Sequence, residues 1–304
     1  MVMKNPNTPV SILTVPFDLG ASQRGTRQGP EAILKAGLVN KLHALQMKHT
    51  LQEIHFPPFI EESNSSSPLL KHLNENILVH SKLADEVYRL SKNGAFPLIL
   101  GGDHSIAIGT ISGLRKHYQS LGIIWMDAHS DLNTPLTTPS GNIHGMSLAV
   151  NLGMGDPKLT SIGGNKSSIN PKNVVIVGAR SIDYGEREFI RREGITCYTM
   201  HDIDKLGMAY VMQEAIRISS SGTDGVHLSF DIDSIDPQIA PATGTPVPGG
   251  LSYREVHLAM EMLYESSILT SAEIVENNPL FDDHERSSEL LVGLIGSLLG
   301  ERIL

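Results

Sequence analysis

Apolar residues fall along this chain in two rhythms. Short runs rich in β-branched and aliphatic side chains, "PVSILTVP", "LQEIHF", "FPLILGG", "LGIIWMD", "NVVIVGAR", "ITCYTM", "GVHLSFDID" and "ILTSAEIVE", are bounded by turn-forming or polar residues and read as strands. Between most of them, residues 30–47, 73–91, 203–218 and 252–265 place apolar side chains at helical spacing. Strand alternates with helix, which predicts an α/β fold. The near-continuous apolar character of several strands predicts a mostly parallel, doubly wound sheet flanked by helices on both faces. A single domain is expected over residues 1–304. Residues 61–76, polar and serine-rich, read as a surface excursion within it, and "ELLVGLIGSLLG" as a packed final helix too short to cross a bilayer.

Composition narrows the possible partners. With 40% hydrophobic and 19% charged residues the chain is of ordinary globular type. A net charge of -9 with no basic cluster argues against nucleic acid or an anionic membrane as partner. Cys197 is the single cysteine, so no internal disulfide forms; it reads as a small buried hydrophobe. The start "MVMKNPNTPV" lacks the apolar core of a signal peptide, and a cytoplasmic location is expected. Neither GxGxxG nor GxxxxGK[ST] occurs, which removes the usual nucleotide readings of this fold class.

Parallel sheets bind ligands beyond the carboxyl ends of their strands, so the polar residues after each strand carry the candidate chemistry. "FPLILGGDHS" delivers Asp103 and His104 after two glycines, and "IIWMDAHSD" delivers Asp127, His129 and Asp131 at period two. If the chain stays extended there, those three side chains share one face. "HLSFDIDSIDP" adds Asp231 and Asp233, and "SAEIVENNP" adds Glu276. Carboxylates gathered at one point repel one another unless a cation sits among them. Four aspartates, Asp127, Asp131, Asp231 and Asp233, balance two divalent ions, with His104 and His129 completing the ligation. An oxygen-rich, thiolate-free set with imidazoles suits Mn²⁺. Taken singly, each of these aspartates is a turn or helix cap; their joint occurrence points to metal. "HDID" (residues 201–204) precedes a helical stretch and reads as an N-cap, "FDDHER" likewise opens the last helix, and Asp103 reads as a support behind the ligands or a turn residue.

These motifs, in this order, resemble the ureohydrolases, the arginases among them, from "VPFDLGASQRGTRQGPEAI" to "EIVENNP". The resemblance implies an eight-stranded parallel sheet with a two-manganese centre at its carboxyl edge. His104, Asp127, His129, Asp131, Asp231 and Asp233 match its metal ligands. It also implies roles for residues that spacing leaves idle. Ser140 and Asn142 of "SGNIHG", with Asn133, match positions at the amino-acid end of the substrate. His144 matches a residue beside the reacting centre. Asp183 and Glu186 match positions near the substrate ammonium, with Ser181 where some members carry aspartate. Thr245 and Glu276 match positions at the guanidinium end; taken alone they are a turn residue and a strand-end cap.

The reaction so implied is hydrolysis of L-arginine to L-ornithine and urea by a metal-bridging hydroxide, with Asp131 and His144 moving protons and Glu276 holding the guanidinium. Agmatine, guanidinobutyrate or formimidoylglutamate are alternative substrates of the same family. A non-catalytic metal-binding protein and a deacetylase on a related fold are readings from other classes. The family also implies a homo-oligomer, trimer or hexamer, and Arg254 with Glu255 resembles a pair at subunit contacts or else a solvated helix start.

Overall fold

The computed structural model describes residues 8–57, 67–164 and 169–302. Eight strands, one from each apolar run, form one sheet: β1 (Val10–Val15), β2 (His49–Glu53), β3 (Phe96–Gly101), β4 (Leu121–Met126), β5 (Val174–Ala179), β6 (Thr196–Thr199), β7 (Gly225–Asp231) and β8 (Leu269–Val275). Their order is β2-β1-β3-β8-β7-β4-β5-β6, and every pairing is parallel. Every residue of the six inner strands is buried, as strands covered on both faces require. The two edge strands, β2 and β6, are not fully buried at any position.

The helices are α1 (Gly29–Lys35), α2 (Leu38–Ala44), α3 (Leu73–Lys92), α4 (Ala107–His117), α5 (Ser147–Asn151), α6 (Pro157–Thr160), α7 (Tyr184–Glu193), α8 (Met200–Leu206), α9 (Met208–Ser219), α10 (Tyr253–Ser266) and α11 (Arg286–Leu298). Alternate residues of β4 face opposite layers. Ile124 and Met126 pack in one core with Ile203, Val211, Leu263 and Ile295, whereas Ile123 and Trp125 pack in a second core with Leu83 and Ile111. Helices therefore cover both faces, as the apolar strands predicted.

Two predicted helices are each split by a glycine. Residues 30–47 become α1 and α2, parted at Gly37 (φ 104°), and residues 203–218 become α8 and α9, parted at Gly207 (φ 79°); both angles disfavour any residue with a Cβ. The surface excursion needs a correction. Residues 61–66 lie outside the described residues, but from residue 67 the chain turns into α3, with Leu70, Leu73 and Asn76 buried. "HDID" also differs from its reading, because the cap is Thr199: its hydroxyl accepts from Asp202 N, and the Asp202 carboxylate accepts from Thr199 N. Ahead of α11, Asp282 of "FDDHER" accepts from Ser287 N and Ser288 N. Glu255 closes a capping box with Ser252 at the start of α10. Cys197 is half-buried on β6 and not fully buried as its sequence context suggested, packing against the second core where burial pushes its thiol up to about 12. Among the described residues no helix is long and apolar enough to cross a membrane.

Candidate metal centre

The central strands β3, β8, β7 and β4 lie side by side; the carboxyl ends of β3, β4 and β7 supply the candidate ligands, and that of β8 supplies Glu276. After β3 the chain passes so close to the segment following β1 that a Cβ on Gly102 would lie 1.8 Å from Phe17 O. Asp103 then accepts from Ser105 N at 3.0 Å and Gly20 N at 2.6 Å, pinning the turn that presents His104. After β7, Asp231 Oδ1 accepts from Asp233 N at 2.7 Å, and after β4, Asp127 Oδ1 accepts from His129 N at 2.7 Å. Both are tight Asx turns.

The period-two explanation for "DAHSD" is thereby corrected. β4 ends at Met126, and residues 127–129 bend, with Asp131 at φ 50°. The three side chains do converge, but turn geometry brings them together and not an extended strand.

Two groups result: His104, Asp127 and Asp231, and Asp127, His129 and Asp233, with the atoms of each group within 4.8 Å of one another. His104 Nδ1 lies 3.1 Å from Asp127 Oδ2, 3.0 Å from Asp131 Oδ2 and 3.1 Å from Asp231 Oδ2. His129 Nδ1 lies 3.0 Å from Asp233 Oδ2 and 3.4 Å from Asp127 Oδ1. One imidazole N–H cannot serve three carboxylates, and the buried Nδ1 of His104 makes no hydrogen bond. Burial and the neighbouring carboxylates hold Asp131, Asp231 and Asp233 above the usual carboxylate range. Burial opposes charge on His129, yet Asp233 and Asp127 raise it to about 12. An orphaned ring nitrogen amid crowded, buried carboxylates has the electrostatic form of a cation site, so these residues fit divalent metal.

Above this floor opens a cavity of about 300 Å³. His129, Asp131, Asp231 and Asp233 line its base, and Asn133, Ser140, Asn142, His144, Ser181, Asp183, Glu186 and Thr245 line its walls. Asn133 donates to Asp183 at 2.9 Å. Glu186 accepts from Leu132 N and Asp183 N, so these two acids also build the capping box of α7; burial pushes Glu186 up to about 7. Thr245 Oγ1 donates to Asp233 at 3.0 Å. Glu276 lies beneath the wall, 2% exposed: its Oε1 accepts from His104 N at 2.8 Å and lies 3.0 Å from His144 Nδ1. Burial disfavours charge on His144, but the bond to Glu276 and that residue's charge prevail and raise it to about 9.

Sequence reasoning missed the supports. Trp125 Nε1 donates to Asp127 at 3.0 Å, and its ring stacks on His104 with centroids 4.1 Å apart. Arg180 donates to the carbonyls of Asp233, Ser234 and Val247, holding the loop that carries Asp233. His227, Ser229 and Glu273 form a buried polar chain behind His104. The signal for Glu273 was present: it is an acid in the otherwise uncharged run "ILTSAEIV".

A wholly parallel sheet whose central strands bring two metal-capable His/Asp groups together under a polar pocket has the form of a metal-dependent enzyme of the α/β class. The chain belongs to the arginase family, whose model matches residues 8–300. It is 50% identical to an arginase of Bacillus caldovelox over 301 residues, 97% of this chain and 99% of that protein. The native structure of the Bacillus caldovelox arginase is similar to it at TM-score 0.93, covering 98% of this chain and 100% of the other. An Entamoeba histolytica arginase solved in complex with L-ornithine is similar at TM-score 0.89 and 37% identity, covering 96% of this chain and 99% of that one.

Proposed function

We propose that this protein hydrolyses L-arginine to L-ornithine and urea at a centre of two Mn²⁺ ions, and that residues 1–304 act as one catalytic domain. The observation that carries the reading is His104 Nδ1, buried without a hydrogen bond about 3 Å from three carboxylates. His104, Asp127, Asp131 and Asp231 would hold one ion, and Asp127, His129 and Asp233 the other. Bound divalent ions supply countercharge and lower the pKa of water enough to make hydroxide available near neutral pH.

The chain's own residues do the rest. Asn133, Ser140 and Asn142, together with Asp183 and Glu186, grip the amino-acid end of the substrate and orient its guanidinium toward the cavity base. Thr245 steadies Asp233 there. Asp131, facing the cavity, takes up the proton released as the C–O bond forms. Asp131 then passes that proton to the departing ornithine nitrogen as the C–N bond breaks, and His144, tied to Glu276, relays protons between the site and solvent. Glu276 keeps a second carboxylate oxygen for charge-assisted pairing with the planar guanidinium.

Agmatine lacks the carboxylate that Asn133 and Ser140 would bind, leaving polar groups unpaired at about 1–3 kcal/mol each, which favours arginine. We also infer a cytoplasmic homo-oligomer, trimer or hexamer, by likeness to the family. The test is urea release from arginine and from agmatine by protein reloaded with Mn²⁺. Turnover of arginine with little of agmatine is expected; no urea from arginine, or a clear agmatine preference, overturns the reading.

A further inference from the structure

Behind His104 the sheet interior holds polar side chains to which the metal reading gives no task. His104 Nε2 lies 2.8 Å from Ser229 Oγ, Ser229 Oγ lies 2.7 Å from Glu273 Oε1, and that oxygen lies 3.3 Å from His227 Nε2. His227 Nδ1 in turn lies 2.9 Å from Ser271 Oγ. The chain spans neighbouring strands in register, His227 beside Ser271 and Ser229 beside Glu273. Glu273, Ser229, His227 and Ser271 are each 0% exposed. A carboxylate in the middle of a fully covered sheet is costly unless its partners compensate, and the alternate residues Val226, Leu228 and Phe230 of β7 and Ala272 and Ile274 of β8 are apolar.

We propose that Glu273 is a positioning residue for the metal centre: through Ser229 it fixes which nitrogen of His104 carries the hydrogen. This rests on the reading above that His104 is a metal ligand. An ionised carboxylate only accepts hydrogen bonds, so the Ser229 hydroxyl donates to Glu273. That hydroxyl has a single hydrogen. Its oxygen is then left to accept, and the partner it accepts from is His104 Nε2–H. Nδ1 consequently turns a lone pair toward Asp127, Asp131 and Asp231, the orientation a ligand needs. Without Glu273 the hydroxyl is free to rotate and donate to Nε2, which leaves the ring hydrogen on Nδ1, among the carboxylates, where it blocks a cation. His227 lies beside the same carboxylate oxygen, held in place through its Nδ1 and Ser271 Oγ.

The test titrates Mn²⁺ into metal-free protein by calorimetry, comparing wild type with Glu273→Leu, Ser229→Ala and the double variant. Wild type is expected to take up two equivalents. Each single variant should bind one of them about 10–100-fold more weakly and leave the other unchanged. Since Glu273 acts through Ser229, the double variant should be no weaker than the weaker single. Equal weakening of both equivalents, no weakening, or additive losses in the double variant would overturn the proposal. If Glu273→Leu fails to fold, Ser229→Ala decides by the same criterion, together with ¹⁵N-histidine NMR of wild type loaded with diamagnetic Zn²⁺. The hydrogen of His104 is expected on Nε2, and its absence there overturns the assignment. Wild type that binds no divalent metal sinks the metal reading itself, and this proposal with it. Wild type that binds two equivalents, with Glu273→Leu binding both equally well, removes only the role of Glu273.

Discussion

Asp131 and Glu276 hold backbone angles that residues with a Cβ seldom adopt, φ 50° and 63°. Both are tied down: Asp131 O accepts from Leu148 N and Ala149 N, and Glu276 N donates to Gly102 O at 2.8 Å. Backbone held this way clusters where side chains must be aimed, and these two aim at the cavity base and at His144. Two predictions belong at this scale. His129→Ala or Asp233→Ala should lose one of the two metal equivalents and more than about 100-fold in activity; metal analysis showing full occupancy in either variant would contradict the ligand assignment. His144→Gln should lower kcat by about 10²–10⁴-fold while metal content stays at the wild-type level, the mark of a lost proton relay and not of a lost ligand.

At the scale of elements, the pattern-based reading failed where a helix has no ordinary polar face or no apolar one. Every residue of α4 from Ala107 to Arg115 is buried, so no helical period shows in its sequence. α7 buries only Glu186 and Phe189 and is not among the stretches picked out by helical spacing. The capping chemistry of α8 was local and legible, yet placing it required knowing that β6 ends at Thr199. Thr199→Ala should cost about 1 kcal/mol of stability, measured by urea denaturation, with the metal centre undisturbed.

Helix α3 also carries a titrating group that affects folding. His80 is fully buried, bonded through Nε2 to Asn76 Oδ1 at 2.9 Å, and burial lowers its pKa to about 3. The unfolded chain takes up a proton on this ring as pH falls through about 6.5, and the folded chain does not until about pH 3. Stability from this residue is therefore complete above pH 6.5 and declines as pH falls toward 3, by about 2 kcal/mol at pH 5. In His80→Gln the stability difference between pH 7 and pH 5 should shrink by about that amount; an unchanged difference by chemical denaturation would rule His80 out as its source.

For the whole molecule, the sheet order decides where the chemistry lies. β8 and β7 run between β3 and β4, so ligands separated by more than a hundred residues in sequence meet at one edge. Metal and fold are thus coupled: a site assembled from three strand ends exists only in the folded chain. Mn²⁺ at about 100 times its Kd should stabilise the protein by about 2.7 kcal/mol per bound ion over the chelated form, read as a rise in Tm. No shift on adding EDTA would mean that the cluster does not bind metal in the native state.

What the sequence determined by itself was whatever local chemistry specifies. Eight short runs read as strands, the near-continuous apolar character of several of them called for cover on both faces, and "DAHSD" with "SFDID" placed acids and imidazoles where a buried strand should end. Tertiary structure decided the rest. It replaced the extended "DAHSD" by a turn with Asp131 in a left-handed conformation, and it set Glu276 against His144 beneath the pocket wall. It brought Ser229 and Glu273 into line behind His104. Those outcomes depend on which strands become neighbours, a property of long-range packing that no window of residues contains.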